Sequence, residues 1–252
     1  MIILIFKRLK QDMVSVCMAT YNGGKYILEQ LESILSQLEE VDELVISDDS
    51  STDSTIEVIN SITDGRIRLF THNEFHDPIK NFQNCLQLAK GDIIFMSDQD
   101  DVWLDGKYRQ MKDLLSIYDL VVSDSIVVDE NLNKIEPSFF RFFGSGKGII
   151  KNMIKSSYYG SCMAFKRTVL VNSLPFPDTK QIGHDLWIGL VAELTGKVLF
   201  FEVPLLLYRR HSSAFVPAAF KSKRSLIDKL TGRMVMVKEI TKFLIKNKWK
   251  KD

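Results

Sequence analysis

The chain has 252 residues, 45% of them hydrophobic, enough to bury the core of one large domain with an appendage. Its 33 Lys and Arg against 32 Asp and Glu leave a formal charge of +1, which excludes the global cationic field of a nucleic-acid binder. The balance is uneven: from Lys221 onward the acids are Asp228, Glu239 and Asp252 among many Lys and Arg, so the body is acidic and the tail basic.

Met1 to Phe6 is apolar but too short to span a bilayer, basic residues follow it, and the charge-first order of a secretory leader is missing. Val14 to Ala19 reads as a first strand, ending at the polar turn Thr20-Tyr21-Asn22-Gly23-Gly24. Leu28, Leu31, Ile34, Leu35 and Leu38 then recur at helical spacing. Leu44 to Ser47 makes a second strand that ends in Asp48-Asp49, and Ser50-Ser51-Thr52-Asp53 supplies N-cap residues for a helix marked by Ile56 and Ile59. Ile67 to Phe70 is a third strand, and Phe82, Leu86, Leu88 and Ala89 suit a helix stopped by Gly91. Asp92 to Met96 follows as a buried strand and runs into Ser97-Asp98-Gln99-Asp100-Asp101-Val102-Trp103.

The second half is less regular. Leu120 to Asp124 and Gly160 to Phe165 read as strands, and the Phe- and Gly-rich stretch from Pro137 to Gly148 as a loop. His184-Asp185-Leu186-Trp187 opens a helix; Val198 to Val203 and Leu205 to Tyr208 are strand-like and lead into Arg209-Arg210-His211. Alternating short strands and amphipathic helices predict an α/β fold, a mostly parallel sheet with helices on both faces. Residues 1–220 form its domain, and 221–252 a basic helical tail. Cys17, Cys85 and Cys162 are odd in number, lack zinc-like spacing and sit in apolar sequence. They read as buried reduced thiols of a cytoplasmic protein.

Ligands of such sheets bind beyond the carboxyl ends of the strands. Those ends carry Thr20, Tyr21 and Asn22, then Asp48 and Asp49, then Asp98, Asp100 and Asp101. Clustered carboxylates repel one another, a cost that Mg²⁺ or Mn²⁺ shared with a substrate phosphate removes. A solvated acidic turn, with Asp105 capping the next helix, accounts for the same residues without a ligand. For Asp48, Asp49 and Asp185 the plain alternative is helix capping; for Trp187 it is the core, and for His211 a surface position beside two arginines.

Ala19-Thr20-Tyr21-Asn22-Gly23, Ser47-Asp48-Asp49-Ser50-Ser51-Thr52-Asp53, Ser97 to Trp103, Gly183-His184-Asp185-Leu186-Trp187 and Tyr208-Arg209-Arg210-His211 stand in the order found in family 2 glycosyltransferases. The stretch 13–212 resembles that family, inverting enzymes of the GT-A fold, and its central motif resembles the bacterial rhamnosyltransferase-like branch that builds surface polysaccharides. The resemblance implies a nucleoside-diphosphate sugar donor, UDP- or dTDP-linked, and a saccharide or lipid-linked saccharide acceptor. It assigns Thr20, Tyr21, Asn22, Asp48, Asp49 and Asp98 to the donor, and Asp100, Asp98 and His211 to Mg²⁺ or Mn²⁺. Asp185 falls at the family's base position. The sequence after His211, Ser212-Ser213-Ala214, departs from the family's Asn- and Gly-containing continuation.

Two other classes stay open on sequence. A nucleotidyltransferase would carry a Gly-rich phosphate loop, of which Asn22-Gly23-Gly24-Lys25 is a faint echo; a non-catalytic nucleotide-sugar-binding relative is the other. In the tail, Leu226, Leu230, Met234, Val237, Ile240 and Leu244 recur at helical spacing among lysines. Either that helix makes peripheral contact with an anionic membrane or it packs on the domain with a solvated Lys face.

Overall fold

The structure is a computed structural model that describes residues 12–211 and 225–248. Its first half is a regular alternation: β1 (Val14–Thr20), α1 (Ile27–Leu35), β2 (Glu43–Asp48), α2 (Thr55–Ser61), β3 (Ile67–Phe70), α3 (Pro78–Leu88) and β4 (Ile93–Ser97). These strands run parallel in the order β3-β2-β1-β4. Every residue of β2 and β4 is buried, as expected of strands with both faces covered. The amphipathic pattern of α1 turns Ile27, Leu31 and Ile34 inward. α3 starts at Pro78, where a missing N–H costs nothing, and Asp77 caps it by accepting from the Ile79 N–H at 2.8 Å.

The second half is mixed. It comprises β5 (Val102–Trp103), α4 (Lys107–Leu114), β6 (Leu120–Val128), β7 (Lys134–Glu136), α5 (Phe139–Phe143), α6 (Ile149–Ile154), a 3₁₀ turn at Gly160–Cys162, β8 (Met163–Lys166), α7 (Arg167–Ser173), α8 (His184–Thr195), β9 (Val198–Arg209) and α9 (Leu226–Lys248). β8 is antiparallel to both β4 and β6, whereas β9 runs parallel to β6 and antiparallel to β5. The whole is one sheet, β3-β2-β1-β4-β8-β6-β9-β5, with β7 beside β6.

Register brings the polar strand ends to one edge. Thr20 lies opposite Asp48, and Met18 opposite Ser97, so the turns after β1, β2 and β4 leave the sheet side by side. The three cysteines are buried. Trp187 is a core residue, its indole N–H donating to the Ser173 carbonyl at 3.0 Å and its ring meeting Phe243 of α9 edge-on.

Two elements differ from the sequence reading. The stretch expected as a loop contains α5, because Ser138 caps it and Asp124 accepts from the Phe140 N–H at 2.9 Å while Phe139 and Phe140 bury their rings. Gly144 then ends it at φ 63°, a left-handed position. The two strands expected around Pro204 are one, since β6 shifts register opposite Pro204. Asp105 does not cap α4; Gly106, at φ 81°, holds that position. The segments 1–11 and 212–224, and Trp249 to Asp252, lie outside the described residues.

Candidate active site

The turn after β1 is held by side chains of the turn after β2. The N–H of Asn22 donates to Ser51 Oγ at 2.8 Å, that of Gly23 to Thr55 Oγ1 at 2.8 Å and that of Gly24 to Asp53 at 3.0 Å. Asn22 sits at φ 48°, which Asn tolerates better than most side chains, and its Oδ1 accepts from the Thr52 N–H at 2.8 Å. The three N–H groups that a phosphate loop would offer are therefore committed inside the protein. This removes the faint echo of a nucleotidyltransferase.

Thr20 and Asp48 meet at the root of these turns. Thr20 Oγ1 donates to Asp48 Oδ2 at 2.7 Å, and Ser51 donates to the same carboxylate through both its N–H and its hydroxyl. Both residues are buried, so their bonds serve the shape of the edge. Asp49 accepts from the N–H groups of Phe75 at 2.7 Å and Asp77 at 3.3 Å, which ties in the loop before α3. Tyr21, at 54% exposure, and Asn22 face outward.

Gln99 links this pair of turns to the acidic motif. Its amide accepts from the Tyr21 N–H at 2.9 Å and donates to the Tyr21 carbonyl at 3.0 Å. On the other side of the motif the Asp98 N–H donates to Ser161 Oγ at 3.0 Å. Asp101 accepts from the Arg209 N–H at 3.0 Å, so it holds β9 rather than a ligand.

The Arg209 guanidinium donates to the carbonyls of Asp100 (2.7 Å) and Glu130 (2.9 Å) and to the Glu29 carboxylate. It also lies 4.7 Å over the Tyr26 ring, which His211 meets as well, centroids 4.8 Å apart. His211 Nε2 stands 2.8 Å from Asp100 Oδ2.

The electrostatics follow from burial and crowding. Burial, then the charge of Asp100, pushes the Asp98 carboxyl up to about 7; Asp185 adds to the rise. Burial, then Asp100 and Asp98, holds Asp101 well above the carboxylate range. Lys107 lies wholly buried behind the motif, donating to the Ser161 carbonyl at 2.7 Å; burial pulls its ammonium down to about 8 against the charges of Asp101 and Asp98.

Asp185 is the second residue of α8. Burial raises its carboxyl, outweighing the neighbouring His184 and the helix N-terminus. Gly183 leaves room for it: a Cβ there would approach Asp185 Oδ1 to 2.6 Å. Its charge reaches Asp98 and the Tyr159 hydroxyl, so the base candidate and the acidic motif face one region. His184 stacks on Phe82 at 4.3 Å, and burial lowers its imidazole below the usual range.

A divalent cation fits the Asp100–His211 pair as a shared guest. One carboxylate oxygen and one imidazole nitrogen suit Mn²⁺ or Mg²⁺ when a diphosphate completes the shell. Among the described residues no group of three His, Cys, Asp or Glu could form a closed cage. Two concave regions lie away from this edge. One of 360 Å³ at the opposite strand ends is lined by Asp92 and Arg167, and one of 310 Å³ lies between α7 and α9. The acidic edge is a shelf.

Sequence reading missed Gln99, Arg209 as an organiser, Lys107, Ser161 and Tyr26. A buried Lys or Arg carries no local signal; only the positions of Gln99 and Arg209 within quoted motifs hinted at them.

A parallel sheet whose carboxyl edge carries this acidic shelf, flanked by a mixed half, defines a GT-A glycosyltransferase. The chain belongs to glycosyl transferase family 2, whose sequence model matches residues 15–173. It is 28% identical over 246 residues to the dTDP-rhamnosyl transferase RfbG of Shigella flexneri, covering 89% of this chain and 82% of that one. Over a shorter stretch of 97 residues it is 40% identical to the Escherichia coli UDP-Glc:alpha-D-GlcNAc-diphosphoundecaprenol beta-1,3-glucosyltransferase WfaP, 38% of each chain. Among solved structures it resembles residues 1–349 of S. aureus TarS in complex with UDP-GlcNAc, with a TM-score of 0.64 at 18% identity. That match covers 82% of this chain and 62% of the TarS chain.

Proposed function

We propose that this glycosyltransferase moves a sugar, with inversion, from a UDP- or dTDP-linked donor to a saccharide or lipid-linked saccharide acceptor in surface polysaccharide synthesis. The observation that carries the reading is that Asp100 contacts His211 beside Asp98, whose carboxyl also feels the charge of Asp185, at the carboxyl edge of the sheet. The names of RfbG, WfaP and TarS support the donor class, and that of WfaP a lipid-linked acceptor.

In this reading Tyr21, Asn22 and Asp49 line the base and ribose side, and Thr20 and Asp48 hold the turns that present them. Asp98 supports the ribose or a cation-bound water. Asp100 and His211 hold Mg²⁺ or Mn²⁺, which when bound neutralises the diphosphate leaving group. Asp185 accepts the proton of the acceptor hydroxyl as that oxygen attacks the anomeric carbon from the face opposite the diphosphate. Its raised carboxyl is a stronger base than an ordinary Asp.

The test is a thermal-shift panel of nucleotide sugars with and without Mn²⁺, followed by transfer to a lipid-linked acceptor. A cation-dependent rise with UDP- or dTDP-sugars is expected, because a ligand that binds the native state alone stabilises it. Asp185→Asn is expected to keep that shift and lose 10²- to 10⁴-fold in turnover, the usual weight of a general base. Near wild-type turnover would refute the assignment of the base.

A further inference from the structure

We infer that α9, with α6 beside it, is a docking surface for an anionic lipid bilayer. α9 carries two apolar faces. Met236 and Phe243 are buried on the domain, Phe243 against Trp187. Ile227, Leu230, Met234, Val237, Leu244 and Ile245 are exposed, Ile227 and Met234 by 75% and 74%. At about 100° per residue these six share a strip of about 100°, turned away from the buried face. Arg233 lies on one shoulder of the strip, Lys238 and Lys242 on the other. α6 packs against α9 and adds Ile150, 77% exposed, and Ile154, with Lys147, Lys151 and Lys155 around them in sequence.

Charge decides the occupant. The 3–4 spacing of the strip would also suit a coiled coil with a second copy. In that arrangement the flanking positions hold Arg233 and Lys238, which face each other in a parallel pair and find no acid at the flanking positions of an antiparallel one. The acids of α9 do not offset this: Asp228 bonds Ser225 near its start, and Glu239 pairs with Lys242 at 2.7 Å. An anionic headgroup layer instead accepts both the apolar strip and its cationic shoulders. No described helix is long and apolar enough to cross the membrane, so α9 would lie in its plane. Through Phe243 and Trp187 the docked helix is packed on α8, whose first turn carries Asp185. Delivery of a lipid-linked acceptor to that carboxylate rests on the transfer reading above; the docking itself does not.

The experiment is co-sedimentation of the full chain with vesicles of phosphatidylcholine alone or with phosphatidylglycerol, at low and high salt. Binding to the anionic vesicles is expected, weakening with salt. Met234→Asp is expected to abolish it without changing the thermal melt, since that side chain is exposed. Arg233→Gln with Lys238→Gln should weaken it about 25-fold, from about fivefold per cation. Equal binding to both vesicle types would overturn the inference, as would binding that survives Met234→Asp. A dimer in sedimentation that Met234→Asp dissolves, without vesicle binding, would assign the strip to a second copy. Donor-induced thermal shift, measured without vesicles, separates failure of docking from failure of the transfer reading.

Discussion

Arg209→Met tests whether the acidic shelf is organised from behind. The guanidinium, 3% exposed, makes one charged and two carbonyl hydrogen bonds and covers Tyr26. Removing one member of a buried ion pair costs about 3–5 kcal/mol. Here the partner Glu29 is 47% exposed and rehydrates, which places the expected loss near the low end, about 3 kcal/mol. For a domain of this size that lowers Tm by about 6–12 °C. Glu29→Gln should cost about 1–3 kcal/mol, because it leaves the buried guanidinium without its carboxylate while the Gln carbonyl can still accept. Since Arg209 fixes the Asp100 carbonyl and the Tyr26 ring on which His211 rests, Mn²⁺ affinity should also fall, by about 10- to 100-fold. Urea unfolding of both variants and a Mn²⁺ titration in the presence of UDP give the readout. A loss under 1 kcal/mol with unchanged Mn²⁺ affinity would refute the claim that Arg209 holds the shelf.

In the proposed reading Asp100 is a cation ligand, so Asp100→Asn should abolish a dependence of donor binding on Mn²⁺; calorimetry with and without the metal checks this. The raised Asp98 carboxyl sets a pH dependence of the metal-free protein. A carboxyl raised on folding stabilises the native state below the unfolded value of about 3.9, and that contribution is lost as pH climbs through about 7. Melts between pH 5 and 8 should therefore fall, by about 1–2 kcal/mol after screening, and Asp98→Asn should flatten the profile. Gly23→Ala would set a methyl group on Gln99 Oε1 and release the tie to Tyr21. A cost of about 1–2 kcal/mol is expected, smaller when Gln99→Ala is combined with it, as a double-mutant cycle in chemical denaturation would show.

The parallel half of the fold was legible because each strand there is a short apolar run closed by a polar turn. The burial of all of β2 and β4 is the direct counterpart of that pattern. The mixed half was less so. α5 depends on Asp124, fourteen or more residues away, to hold its first turn, and no local pattern records such a bond. β9 passes through Pro204 only because its partner shifts register there.

At the site, the residue types were legible and their division of labour was not. Asp48 and Thr20 stand in a conspicuous polar cluster, yet their mutual bond is made by strand register, Thr20 opposite Asp48 across β1 and β2. Asp101 looks like its two acidic neighbours in sequence and turns instead to β9. Sequence by itself determined which carboxylates leave the sheet at its carboxyl edge, because alternation and turn chemistry are local. Only the tertiary structure decided which of them face the shelf, which are held by Gln99, Ser161 and Arg209, and that burial lifts Asp98 and Asp185. Desolvation and charge crowding exist only once distant segments are packed together.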